Sequence, residues 1–290
     1  MMDAELLLDA RAVLGEGALW DASRRRLLWV DIEGREVHIF DPAGGDDVAI
    51  DVGQEVGTVV PRARGGLVLG LRRGIALLDP ASRELTMLAD PESHLPDNRF
   101  NDGKCDPAGR FWAGTISHRR QPDAALYRLD PDLSVRRVLE GVVNSNGLAW
   151  SLDARAMYYI DTGTHRIDAF GYDRDTGAIR NRRTVVDVPD AMGKPDGMTI
   201  DADGMLWVAH WGGGRVNRWD PGTGRLLSTV LVPASRTTSC AFGGPDLATL
   251  YITTARTGMT AEALAAEPQA GALFAVRPGV QGLPAFEFAG

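Results

Sequence analysis

Apolar and β-branched residues in this chain come in short runs broken by Asp, Gly, Pro and Ser, a pattern that predicts strands joined by tight turns. The clearest stretch reads Pro195-Asp196-Gly197-Met198-Thr199-Ile200, a turn at Asp201-Ala202-Asp203-Gly204, then Met205–Ala209, a Gly-rich turn, and Arg215–Trp219. This is strand, hairpin, strand, hairpin, strand. No segment sustains a helical apolar period; the nearest, Thr260–Ala265, predicts one short helix. The same sentence recurs along the chain. Segments ending in Asp-Pro or a close relative lie at Arg35–Pro42, Gly74–Pro80, Ala125–Asp132, Arg166–Asp173, Arg215–Pro221 and Gly271–Pro278. A strand repeat of roughly 45 residues is the length of one propeller blade.

The expected fold is therefore all-β: a six-bladed β-propeller of four-stranded blades around a central channel, forming a single domain over residues 1–290. Blades are expected to begin near residues 15, 57, 101, 146, 196 and 239, with the strand Glu5–Val13 closing the last blade. Closure matters because it leaves no open sheet edge. The 34 glycines suit a fold that turns every few residues.

Such a ring brings equivalent repeat positions together around its axis. Asp196 stands five residues before the turn residue Asp201; the same offset from Asp21, Arg62, Asp106 and Ser151 selects Glu16, Gly57, Asn101 and Asn146. The sixth repeat offers Thr237–Cys240. Two carboxylates and two amides thus open strands that are otherwise apolar, where an unpartnered polar group costs about 1–3 kcal/mol. Anions brought close at a channel mouth repel unless a cation lies between them. Glu16, Asn146 and Asp196 are oxygen donors suited to one divalent ion, with Ca²⁺, Zn²⁺, Mn²⁺ and Fe²⁺ all accommodated. Three protein ligands leave positions open for substrate.

Composition narrows the rest. Net charge is −8 and no basic stripe appears, which argues against nucleic acid. No apolar stretch is long enough to span a bilayer, and the start Met1–Leu8 lacks a signal-peptide pattern, so no membrane partner and a cytoplasmic location are expected. Cys105 and Cys240 are expected as buried free thiols. None of the five histidines forms an HxxxH or HExxH pair, and neither a GxSxG elbow nor a phosphate-binding loop is present. His94 and His118 fall in loops beside the channel mouth, His210 is expected to pack, and Asp90–Asn98 is a candidate lid.

The stretches Leu14–Trp20 (LGEGALW), Asp97–Thr115 (DNRFNDGKCDPAGRFWAGT), Asn146–Ser151 (NGLAWS), Pro195–Asp201 (PDGMTID) and Phe242–Ala255 (FGGPDLATLYITTA) resemble the gluconolactonase/regucalcin (senescence marker protein) family of six-bladed propellers. The resemblance runs from about Leu14 to Val276. It implies an enzyme, a sugar lactonase that opens an aldono-lactone to the aldonic acid in oxidative sugar catabolism, with one divalent metal in the channel. By this resemblance Glu16, Asn146 and Asp196 match the metal ligands, Asp196 the catalytic base, and Arg99 and Asn101 the groups that hold the sugar. Where some members carry an acidic substrate contact, this chain has His118 and Arg119, which become candidate substrate-binding residues. Two alternatives stand beside the lactonase: a calcium-dependent aryl-esterase or phosphotriesterase propeller, and a non-catalytic calcium-binding one. Arg99, Asn101 and Asp102 favour a polyhydroxylated substrate over an apolar ester.

Overall fold

The computed structural model describes residues 1–290. Its strands form six separate antiparallel sheets, the blades of a propeller. The innermost strands are Gly15–Asp21, Val56–Pro61, Asn98–Cys105, Ser145–Trp150, Lys194–Ile200 and Thr237–Gly243. In blades one to five the chain proceeds outward through three more strands before crossing to the next blade. The sixth blade takes its outermost strand from the amino terminus: Glu5–Leu8 pairs antiparallel with Leu273–Val276. Met2–Asp3 adds a short parallel strand to the outer edge of blade five, pairing with Val230 and Leu231. The one α-helix, Ala261–Ala266, starts at Thr260, whose side chain accepts a hydrogen bond from the Ala263 amide.

The core lies between blades, because each sheet buries both of its faces against neighbours. Trp29, Trp112 and Trp207 are wholly buried there, and Trp20, Trp150 and Trp219 nearly so. A repeated turn aspartate stitches the blades. Asp106 accepts from Trp112 Nε1 (2.9 Å), Arg110 Nε (2.7 Å) and the Tyr172 hydroxyl (2.7 Å), so one carboxylate joins blade three to blade four. Asp201 does the same within blade five, taking Trp207 Nε1 at 2.8 Å and Arg218 Nε at 2.7 Å. These anions are buried yet fully partnered, which is the condition for tolerating them.

Cys105 and Cys240 are buried free thiols. His210 is fully buried with Nε2 3.1 Å from Asn217 Nδ2, a packing role. No helix is long and apolar enough to cross a membrane.

Candidate active site at the channel mouth

Each innermost strand slips its register at the same place. The irregularities fall between Glu16 and Leu19, Val56 and Thr58, Phe100 and Gly103, Asn146 and Leu148, Pro195 and Met198, and Thr237 and Ser239. A bulge bends its strand and re-aims the side chains beside it. Of the residues selected by the repeat, Gly57, Asn101, Asp196 and Thr238 fall inside these bulges, and Glu16 and Asn146 are the last paired residues before theirs. Blade two has glycine for a steric reason: a Cβ on Gly57 would sit 2.3 Å from the Phe100 carbonyl oxygen, so the strands touch there.

The segments carrying these residues are pinned from behind. Asp31 accepts from the Val13 (2.7 Å) and Leu14 (2.9 Å) amides just ahead of Glu16. Asp161 does likewise for Val143 (3.2 Å) and Asn144 (3.0 Å), just ahead of Asn146. Thr162 then fixes how Asn146 is turned. Its hydroxyl hydrogen goes to the Pro195 carbonyl (2.9 Å), so its oxygen can only accept from Asn146 Nδ2 (2.7 Å). Asn146 Oδ1 is left facing the channel, where Asn101 Nδ2 reaches it at 2.9 Å.

Asn101 is held tightly as well. Its Oδ1 accepts from Arg99 Nη1 (2.7 Å), and its Nδ2 also lies near the Ser145 carbonyl (2.7 Å) and Asn144 Oδ1 (3.2 Å). Every polar atom of Asn101 is therefore engaged within the protein, and its geometry is that of a brace for Asn146.

Three carboxylates crowd the upper channel. Glu16 is pushed up to about 8, chiefly by burial and then by Asp102, while the Gly17 amide and Arg99 pull the other way. Asp196 rises well above the usual carboxylate range through burial, then Glu16 and Asp102. Burial also raises Asp102, with Lys104 and the Gly103 amide opposing. The three do not form a three-acid metal cluster, and Asp102 acts on the other two through its field.

The donor set fits a divalent cation on its own chemistry. The Asp196 carboxylate is buried with no hydrogen-bond donor of the protein on it, and Glu16 accepts only the Gly17 amide, at 3.0 Å. Two under-satisfied anions and an amide oxygen held toward the channel by Thr162 are the donors such an ion takes.

Arg99 is buried at the rim, with Nε unpartnered and 3.9 Å from Glu55 Oε1; the other Glu55 oxygen is bound by Arg72. His118 lies exposed beside this group, its pKa lowered by partial burial and then by Arg99. Arg119 is not brought to the cluster. It lies in the turn after the strand Phe111–Ser117, half-exposed, and pairs with Asp123. Asp90–Asn98 is anchored by buried Glu92, which accepts from Asn98 Nδ2 (2.9 Å), Thr115 Oγ1 (2.9 Å) and the Tyr127 hydroxyl (3.0 Å). That network makes it a fixed wall of the mouth rather than a free lid.

Asp102, Thr162 and Glu55 join the site without having been found by the repeat frame. The frame admits one residue per blade, whereas the blade-three bulge takes Asn101 and Asp102 out of the ladder together. Thr162 sits in a 3₁₀ turn beyond the second strand, where no sequence periodicity points to it.

Comparison with known proteins bears on the fold and the family. The family described as "SMP-30/Gluconolactonase/LRE-like region" matches residues 14–256. Regucalcin of Danio rerio is 47% identical over 290 residues, covering 99% of this chain and 98% of that protein. A calcium-binding protein, regucalcin, from Agrobacterium tumefaciens superposes with a TM-score of 0.94 at 29% identity, covering 99% and 97% of the two chains. A gluconolactonase from Xanthomonas campestris superposes with a TM-score of 0.75 at 27% identity, covering 93% and 87%. With its six blades, its ring of bulges and these relatives, the chain belongs to the SMP-30/gluconolactonase family.

Proposed function

We propose that this protein is a hydrolase that opens aldono-1,4- or 1,5-lactones to aldonic acids, aided by one divalent cation held by Glu16, Asn146 and Asp196. The observation that carries this reading is the Asp196 carboxylate: buried, lacking any protein donor, and raised by two further anions. The gluconolactonase relative supports the substrate class, and the calcium-binding relative supports the cation.

When bound, the cation supplies Lewis-acid stabilisation of the charge that develops on the lactone carbonyl oxygen. The remaining steps belong to the chain. Asp196 accepts a proton from the water that adds to the carbonyl carbon. The ring C–O bond then breaks, and the departing ring oxygen takes that proton to become a hydroxyl of the aldonic acid. Arg99, whose Nη1 is held by the Phe100 carbonyl and Asn101 Oδ1, keeps Nη2 free of protein partners and donates from it to the sugar's oxygens. Asn101 contributes by bracing Asn146, and His118, neutral near pH 7, lines the outer edge of the pocket.

Three outcomes follow from these roles. Thr162→Val frees the Asn146 amide to rotate and weakens metal binding about 10–100-fold, as loss of an outer-shell partner generally does; titration calorimetry reads it, and unchanged affinity contradicts the assigned orientation. Arg119→Ala leaves kcat/KM within about twofold, because the side chain is paired with Asp123 at the surface; a drop beyond tenfold would make it a substrate contact.

The third concerns pH. In the metal-free protein Glu16 holds its proton up to about 8, above the usual carboxylate range. Its contribution to stability is therefore present at low pH and is lost as pH rises toward 8. Metal must displace that proton, so affinity rises between pH 6 and 8, by up to about tenfold per unit for each proton released. Affinity independent of pH over that window would contradict the burial of Glu16 as a ligand.

The functional test is a substrate panel on chelator-stripped protein, with aldono-lactones beside an aryl ester and each cation added back. Metal-restored turnover of one or two sugar lactones is the expected result. Turnover of the aryl ester alone would replace the lactonase reading with the aryl-esterase one.

A further inference from the structure

A cavity lies further along the innermost strands, past the bulges. It has a volume of about 290 Å³ and is lined by residues two to four positions beyond the site residues on the same strands, such as Leu19, Trp20, Leu148, Trp150 and Phe242. Lys104 forms its inner wall. From blade three its ammonium reaches across to the Met198 carbonyl of blade five at 2.6 Å. That is its one hydrogen bond, so two of its three donors are unused. It forms no ion pair; burial lowers its pKa, and Asp102 opposes that from a distance. The only other charged residue lining the cavity is Arg174, exposed at the edge.

The outer wall is a strap made by the carboxy-terminal segment. Gly282 is tied to blade six by its amide on the Leu247 carbonyl (2.8 Å), and Phe288, fully buried, to blade two by its amide on the Pro61 carbonyl (2.9 Å). Between these anchors Leu283–Phe286 spans the cavity with no backbone hydrogen bond. Leu283 and Phe286 remain 40% and 44% exposed. The strap is thus fastened at its ends and free in its middle.

We propose that this cavity is a binding site for a medium-chain carboxylate, distinct from the lactone site, with the carboxylate on Lys104 and the apolar chain under the Leu283–Phe286 strap. Three observations converge. The lining is largely hydrophobic, its only charges are positive, and the inner charge has donors to spare. The volume sets the size: an apolar cavity of about 150 Å³ admits benzene, so roughly twice that space holds about twelve heavy atoms, the size of decanoate. A charge-assisted hydrogen bond away from bulk water supplies the preference for the anion over an alcohol of the same length.

Trp20 and Trp150 line the cavity and report on it. Titration of the full protein with decanoate, followed by tryptophan fluorescence, is expected to saturate at sub-millimolar concentration, with decanol binding at least about tenfold more weakly. Lys104→Met is expected to erase the difference between the two. Phe286→Asp, at an exposed position, is expected to weaken decanoate at least about fivefold with unchanged Tm. Saturation by decanoate and decanol at equal concentration, no saturation by either, or full decanoate affinity in Phe286→Asp would each overturn the assignment. The wild-type comparison and Phe286→Asp decide the matter even if Lys104→Met does not fold.

Discussion

Replacing Asp196 with alanine is expected to lower lactone turnover by roughly 10³-fold or more and to abolish binding of the divalent cation. One carboxylate is asked to do two things, accept the proton of the attacking water and complete the cation's ligands, and loss of a general base alone is worth about 10²–10⁴. Asp102 is the nearest substitute in charge, but it and Glu16 and Asp196 do not form a three-acid metal cluster. The same substitution has the opposite sign for stability in the metal-free protein. Asp196 is raised by burial and by Glu16 and Asp102, so removing it relieves repulsion among buried groups. The metal-free variant is expected to melt no lower than metal-free wild type, and it alone should fail to gain Tm when cation is added. A variant that still binds metal and turns over lactone would contradict both roles.

Asp106→Ala is expected to have the largest effect on stability, about 3–5 kcal/mol. The substitution removes the counter-charge of the buried Arg110 guanidinium, which keeps the Asp175 and Arg174 carbonyls and the Tyr172 oxygen, leaves Trp112 Nε1 and the Tyr172 hydroxyl without their acceptor, and frees the Ala108 and Arg110 amides of the turn. A buried cation left without its anion costs more than the pair was worth. For a chain of this size that loss lowers Tm by roughly 10 °C. Asp106→Asn keeps an acceptor in place and should lose less. Equal melting of Asp106→Ala and wild type would show that the contacts joining blades three and four are not held by this carboxylate.

The fold was legible because the repeat states it six times: turn aspartates such as Asp106 and Asp201 and the Asp-Pro strand ends recur in step with the blades. The same frame located Glu16, Asn146 and Asp196, since the bulges fall where the polar residue interrupts an apolar strand. What the sequence hid was orientation. Nothing in it says that Thr162 turns the Asn146 oxygen inward, that Asn101 is consumed by Arg99 and its blade-four neighbours, or that Arg119 faces Asp123. These depend on which hydrogen goes to which acceptor between blades, and no periodicity encodes that. The loop Asp90–Asn98 illustrates the same limit: its prolines suggest a lid, while a single buried residue, Glu92, ties it down.

The central claim is that one cation at Glu16, Asn146 and Asp196 is required for lactone hydrolysis. The most direct test adds cation stepwise to chelator-stripped protein, above the dissociation constant, while bound metal and aldono-lactone hydrolysis are measured in the same sample. Turnover rising in proportion to bound metal and stopping at one equivalent is the predicted result. Undiminished turnover in the stripped protein, or metal bound at one equivalent with no turnover of any aldono-lactone, would contradict it.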